Sequence, residues 1–313
     1  MTQPPVSPSQ RRVPLQQGGL GGGIPLFTLF GIDVRLHWLW FVVAYWQISN
    51  PVSQYSSLAW NIAEYLSLFG IVLLHEFGHA LACRSVGGRA ERILLWPLGG
   101  VAYVQPPNRP GAVLWSIAAG PLVNVALAPV FIGAYMLLPE AGPQAAALMT
   151  DLNQFAWMLM AINIVLLVFN MLPIFPLDGG QILRSLLWFA IGPVKSLLIA
   201  AGIGLLAAVG IGVWAAVRQD IWFIVLAAFG GWTSFTSLRN AWQVLQIQRA
   251  PRRSDAACPV CRTPPLDVDA WLCRNCGGPV NPWRGPCPRC NYEDPSTQCP
   301  ECYNETPKQA WYR

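Results

Sequence analysis

The sequence predicts an all-α polytopic membrane protein, with about six transmembrane helices and one short β-hairpin, followed by a small cysteine-rich domain. Three observations carry this reading. Of 313 residues, 54% are hydrophobic and only 11% charged, whereas a soluble domain carries about 25% charge. Apolar windows of roughly 17 to 25 residues, the length a bilayer core demands, begin near Leu36, Leu58, Ala112, Asn153, Leu197 and Ile221. Beyond Arg253 the composition turns abruptly polar and proline-rich, and this stretch holds eight of the nine cysteines. The boundaries that follow are a leader over 1–25, a membrane domain over 26–248, a linker over 249–257, the cysteine-rich module over 258–303 and a tail over 304–313.

The leader is rich in Pro, Gln, Gly and Ser and has no apolar core, so it reads as disordered rather than as a cleaved signal peptide. Its glycine run, Gly18 to Gly23, lacks the Lys-Ser/Thr of a phosphate loop and serves as a linker. Threading the chain through six spans puts thirteen of the Arg and Lys residues named by position, among them Arg35, Arg84, Arg89, Arg92 and Arg109, on one side and Arg218 alone on the other. The positive-inside rule makes the crowded side, with both termini, cytoplasmic. Trp38, Trp40, Trp60, Trp222 and Trp232 fall near span ends, as an interfacial aromatic belt requires. The net charge of +5 is scattered without a basic block, which argues against nucleic acid as a partner.

The second window contains His75-Glu76-Phe77-Gly78-His79. Histidines four apart share one helical face and can hold a single Zn²⁺, while Glu76 between them can take a proton from an attacking water. Ionisable groups in an apolar span are costly and by default mark function. Only three histidines occur in the chain. A hydrolytic zinc site needs a third protein ligand and one open position. Asp178 is the best candidate, because prolines break the helix before it and Gly179 and Gly180 let the backbone approach closely. Glu64 lies near a span start, and Asp151 and Asp220 fall at interfaces. His37 and Cys83 read as structural.

Between the second and third windows, Glu91 to Gln105 is β-rich and broken by Gly99-Gly100, which predicts a hairpin. It either pairs with an unwound substrate by β-addition or simply connects two spans. The stretch from Asp178 to Ile191 is apolar but too short to cross, and reads as an interfacial or re-entrant helix. Gly202, Gly204, Gly210 and Gly212 in the fifth window permit close helix packing.

These residues resemble the site-2 protease family of intramembrane zinc metalloproteases. The resemblance rests on His75-Glu76-x-x-His79 followed about a hundred residues later by Pro176-Leu177-Asp178-Gly179. Further matches are Phe30-Gly31-Ile32-x-Val34-Arg35-Leu36-His37-Trp38, Pro97-Leu98-Gly99-Gly100 and Ala119-Gly120-Pro121-Leu122-Val123-Asn124, so that it covers residues 26 to 245. It implies His75, His79 and Asp178 as ligands of one catalytic zinc, Glu76 as general base and acid, and Asn170 as a substrate-positioning group. The second proline of the family's Asn-x-x-Pro-x-Pro-x-Leu-Asp-Gly pattern lies one place later here, at Pro176. The implied substrates are single-pass membrane proteins, cut in or near their transmembrane segments, and the implied location is the plasma membrane.

The C-terminal module carries four Cys-x-x-Cys knuckles: Cys258/Cys261, Cys273/Cys276, Cys287/Cys290 and Cys299/Cys302. They suffice for two structural Cys₄ zinc sites. A segment this small has too little core to fold without metal, and a reducing cytoplasmic side disfavours disulfides; spacing alone leaves iron open. Sequential pairing, first knuckle with second and third with fourth, resembles a double zinc ribbon. The zinc-ribbon domain has mixed charge and no coherent basic face, which points to protein contact. A function of another class is a divalent-metal transporter, in which the ribbons act as a cytoplasmic sensor.

Overall fold

The computed structural model describes residues 23–49, 55–96, 99–138, 147–269, 271–299 and 304–311. Most of the leader, Pro97, Leu98 and Cys302 lie outside them. The chain forms two compact units divided at residue 241.

In the first unit, β1 (Ile24–Leu29) and β2 (Ile32–Leu36) precede the helices and join β3 (Arg89–Trp96) and β4 (Gly99–Gln105) in one sheet of order β1-β2-β3-β4. The expected hairpin is therefore half of a four-stranded sheet. Phe30 and Gly31 both take positive φ at the β1–β2 turn, the backbone that matches a two-residue hairpin to strand twist. Arg84 donates to the carbonyls of Phe30, Gly31 and Ala90 and so ties the turn to the helix that leads into β3. Ile32, Val34 and Leu36 alternate inward along β2 and, with Ile93 and Leu95, pack on Val72, Phe77 and Ala80.

Among the described residues, five helices are long and apolar enough to cross a membrane: α2 (Leu58–Ser85), α3 (Pro110–Leu137), α4 (Ala147–Asn170), α6 (Pro193–Arg218) and the part of α7 (Ile221–Arg249) up to Gln246. The window expected near Leu36 is not a sixth such helix among the described residues. It is the end of β2 followed by α1 (Leu39–Ser49). Contacts along this run go from Gly31 at Arg84 to Trp40 at Phe69 and Tyr65, so the strand and the start of the helix run antiparallel to α2. Five strand residues and eleven helical ones together extend roughly 33 Å, close to the thickness of a bilayer core. Hydropathy alone does not separate this composite from one long helix. The short α5 (Asp178–Ile191) has the bounds expected of it.

In the second unit, two small hairpins carry knuckles: β5 (Trp271–Leu272) with β6 (Pro279–Val280), and β7 (Ser296–Gln298) with β8 (Glu305–Pro307). Cys273, Cys276, Cys287 and Cys290 form one group, and Cys258, Cys261 and Cys299 another. The expected sequential pairing is thus replaced by a nested one, second knuckle with third inside first with fourth. The connecting segments, eleven, ten and eight residues long, are too similar to decide the pairing by length. Packing decides it: Trp311, in the short 3₁₀-helix Lys308–Trp311, is 1% exposed and packs with Ala256, Cys258, Trp283 and Cys299, and its carbonyl accepts from Ala257 N–H at 2.7 Å. Residues 305–311, read from sequence as a tail, therefore complete this core.

Candidate active site

α2 presents His75, Glu76 and His79 from successive turns, and all three are buried. His75 and His79 precede Arg84 by nine and five positions, which sets them roughly 14 and 8 Å along the helix from its basic end. The loop after α4 delivers Asp178 to them from 103 positions away. Gly179 is what lets this loop close on itself, since a Cβ there would overlap the carbonyl oxygens of Met171 and Leu172.

Three atoms converge. Asp178 Oδ2 lies 3.1 Å from His75 Nε2 and 3.3 Å from His79 Nε2, and the two Nε2 atoms are 3.1 Å apart. Ligands held at about 2.0 Å from a tetrahedral Zn²⁺ are separated by roughly 3.3 Å, so the donor set fits that ion. Gly120 of α3 leaves the space: a Cβ there would collide with Nε2 of both imidazoles. Glu76 belongs to the same cluster of potential ligands, but its carboxylate is held against β4, where a Cβ on Gly100 would overlap its Cγ, Cδ and Oε1.

The far sides of both rings are also held. His79 Nδ1 is 2.9 Å from the Ser116 carbonyl, and His75 Nδ1 is 2.6 Å from Asn124 Oδ1. Asn124 in turn contacts Asn163 of α4. Asn124 is part of a motif legible in the sequence, but its contact was not; Asn163 belongs to no motif, and its one signal is an amide inside an apolar helix. A cavity of about 460 Å³ opens on the four charged or ionisable groups and is lined also by Trp96, Gly100, Asn170, Phe223 and Phe229. Asn170 thus reaches the cavity wall. His37 does not line it; its Nδ1 accepts from Leu39 N–H. Cys83 turns away too, its thiol 3.4 Å from the Arg89 carbonyl.

This constellation can be set beside known proteins. Peptidase family M50 matches residues 63–148 and 143–211, a stretch that contains both histidines, Glu76 and Asp178. Residues 63–211 of the membrane domain carry this family's domain. Among similar proteins, a zinc metalloprotease of Methanocaldococcus jannaschii is 35% identical over 185 residues, 58% of this chain and 50% of that protein. Stage IV sporulation protein FB of Bacillus subtilis is 35% identical over 129 residues, 40% of this chain and 41% of its own. The chain spans about half the length, or less, of these curated relatives. A solved site-2 protease from Methanocaldococcus jannaschii is 28% identical, with a TM-score of 0.48 over 69% of this chain and 94% of that one.

One consequence concerns Gly100, which borders the carboxylate of the M50 motif. Gly100→Ala is expected to push Glu76 aside and lower turnover at least tenfold while leaving bound zinc unchanged. Parallel rate and zinc measurements on the purified variant check both halves.

Proposed function

We propose that the chain is an intramembrane zinc metalloendopeptidase that cleaves peptide bonds in or near the transmembrane segments of single-pass membrane proteins. The observation that carries this reading is the meeting of two imidazole nitrogens and one carboxylate oxygen within 3.3 Å, beside a separately held glutamate and within apolar helices. His75, His79 and Asp178 hold the zinc, and Glu76 stays free of it as general base and acid. When bound, zinc supplies a Lewis acid that polarises the scissile carbonyl and acidifies water. Glu76 takes the proton of the attacking water and returns it to the leaving amine. The edge of β4 pairs with an unwound substrate, because a helical segment hides its peptide bonds. Asn170 orients that segment from the cavity wall.

The membrane is taken to be the plasma membrane. Both termini lie on the arginine-rich, cytoplasmic side, which follows when the β2–α1 run counts as a sixth crossing. The ribbons hold two structural zinc ions and contact a protein partner. Sulfur separations of 3.6 Å for Cys273/Cys290 and for Cys276/Cys287, and 3.7 Å for Cys261/Cys299, support metal. They exceed a disulfide bond and match the roughly 3.75 Å edge of a tetrahedron with Zn–S bonds of about 2.3 Å. No observation favours a metal transporter.

Substrate trapping tests the reading. Glu76→Gln in native membranes should retain uncut single-pass proteins that the active chain does not. Retention of the same set by both chains would argue against proteolysis here. The nested pairing gives a second expected result. Cys261→Ser should lose the outer zinc and leave the inner one, whereas Cys273→Ser should lose the inner zinc; zinc counts and tryptophan fluorescence of Trp311 and Trp283 distinguish the two.

A further inference from the structure

Neither histidine of the M50 motif is fixed by its metal-facing nitrogen alone, and the two are fixed differently. His79 Nδ1 meets the main-chain carbonyl of Ser116 at 2.9 Å. A carbonyl only accepts, so Nδ1 carries the hydrogen and Nε2 keeps its lone pair. His75 has no such anchor. Its Nδ1 faces a primary amide, Asn124, which can present either an oxygen or an NH₂ group.

The orientation of that amide is decided one residue further out. Asn163 Nδ2 is 2.9 Å from the main-chain carbonyl of Asn124, and only the NH₂ end of Asn163 can donate to it. The Oδ1 of Asn163 is therefore the atom left to accept from Asn124 Nδ2, at 2.8 Å. That turns Asn124 Oδ1 toward His75 Nδ1, and Nδ1 must be the donor. The lone pair of His75 Nε2 is then free and directed at the point shared with His79 Nε2 and Asp178 Oδ2. Asn124 and Asn163 are both fully buried, so no solvent competes for these bonds.

We propose that Asn163 of α4 is a positioning residue for the zinc site: through Asn124 it locks His75 in the form that carries its hydrogen on Nδ1. The proposal rests on the reading of His75, His79 and Asp178 as zinc ligands. α4 supplies no ligand itself. Without Asn163, the Asn124 amide is free to rotate and offer its NH₂ to Nδ1, and that state of the ring carries its hydrogen on Nε2, where it blocks the metal.

The test is a chelator competition on the full-length protein in detergent, with zinc per chain counted by elemental analysis. His75→Ala defines which zinc belongs to this site, since the ribbon ions serve as an unaffected internal count. Asn163→Leu removes both amide bonds at similar volume and is expected to hold that zinc about 10- to 100-fold more weakly. Asn124→Asp/Asn163→Leu should recover most of the loss, because a carboxylate has two equivalent accepting oxygens and no wrong way round. A purely packing role for Asn163 does not predict that rescue. Should Asn163→Leu fail to accumulate, Asn163→Ser, which cannot make both bonds and adds no bulk, is measured in the same way. Wild-type affinity in the single variant, or a double variant no tighter than the single one, overturns the relay. Equal zinc in wild type and His75→Ala overturns the underlying metal assignment instead.

Discussion

Glu76→Gln is expected to reduce proteolysis by about 10²- to 10⁴-fold, the usual worth of a general acid–base group, with the zinc content of the purified chain unchanged. The substitution keeps the shape of the side chain, so β4 and the space at Gly100 still receive it. What it removes is the ability to take a proton from water. Asp178→Asn is the informative contrast: this carboxylate lies 3.1 and 3.3 Å from the two imidazole nitrogens, so its loss should weaken zinc itself. Measured side by side, rate loss with full zinc at 76 and rate loss with reduced zinc at 178 separate base from ligand. Full zinc in both variants would contradict the ligand role of Asp178.

Gly120→Ala is expected to abolish activity by a different route, with one zinc fewer per chain. A Cβ at 120 would fall on Nε2 and Cε1 of His79 and on Nε2 of His75. A retreat of α3 is costly, because it would open the close crossing where Gly78 of α2 leaves no room for a Cβ beside the Ala119 carbonyl. Overpacking of this kind costs about 1–3 kcal/mol, small enough for the chain to insert and accumulate. The imidazoles are the parts that yield, and they are swung out of the convergent arrangement. Gly78→Ala serves as the control. It strains the same helix crossing against Ala119 and Val123 but adds no atom at the histidines, so it should lower thermal stability and retain more zinc than Gly120→Ala.

The candidate site was the most legible part of the sequence. His75, Glu76 and His79 declare themselves because charge inside an apolar span needs a reason, and Asp178 because prolines and glycines break the helix around it. α5 was legible from its length. The strands β1 and β2 were not read, although Ile32-Asp33-Val34-Arg35-Leu36 alternates as a half-buried strand does. The apolar run that continues through Trp38 to Val43 merged this strand into an apparent transmembrane window. The nested ribbons were hidden because connections of nearly equal length carry no information on pairing, and the tryptophan that brings first and fourth knuckles together lies in what composition marks as a tail. Asn163 was hidden for a third reason. Its importance lies in the direction of two hydrogen bonds to α3, and no spacing along one helix records the direction of a bond to another.

The zinc K-edge anomalous difference map of the full-length protein bears most directly on the metal centre. Peaks at the cysteine groups provide an internal control for metal retained through purification. A further peak about 2.0 Å from His75 Nε2, His79 Nε2 and a carboxylate oxygen of Asp178, with Glu76 outside bonding distance, is the predicted result. Ribbon peaks without density between these three side chains, or a peak bonded to Glu76 in place of Asp178, would contradict it.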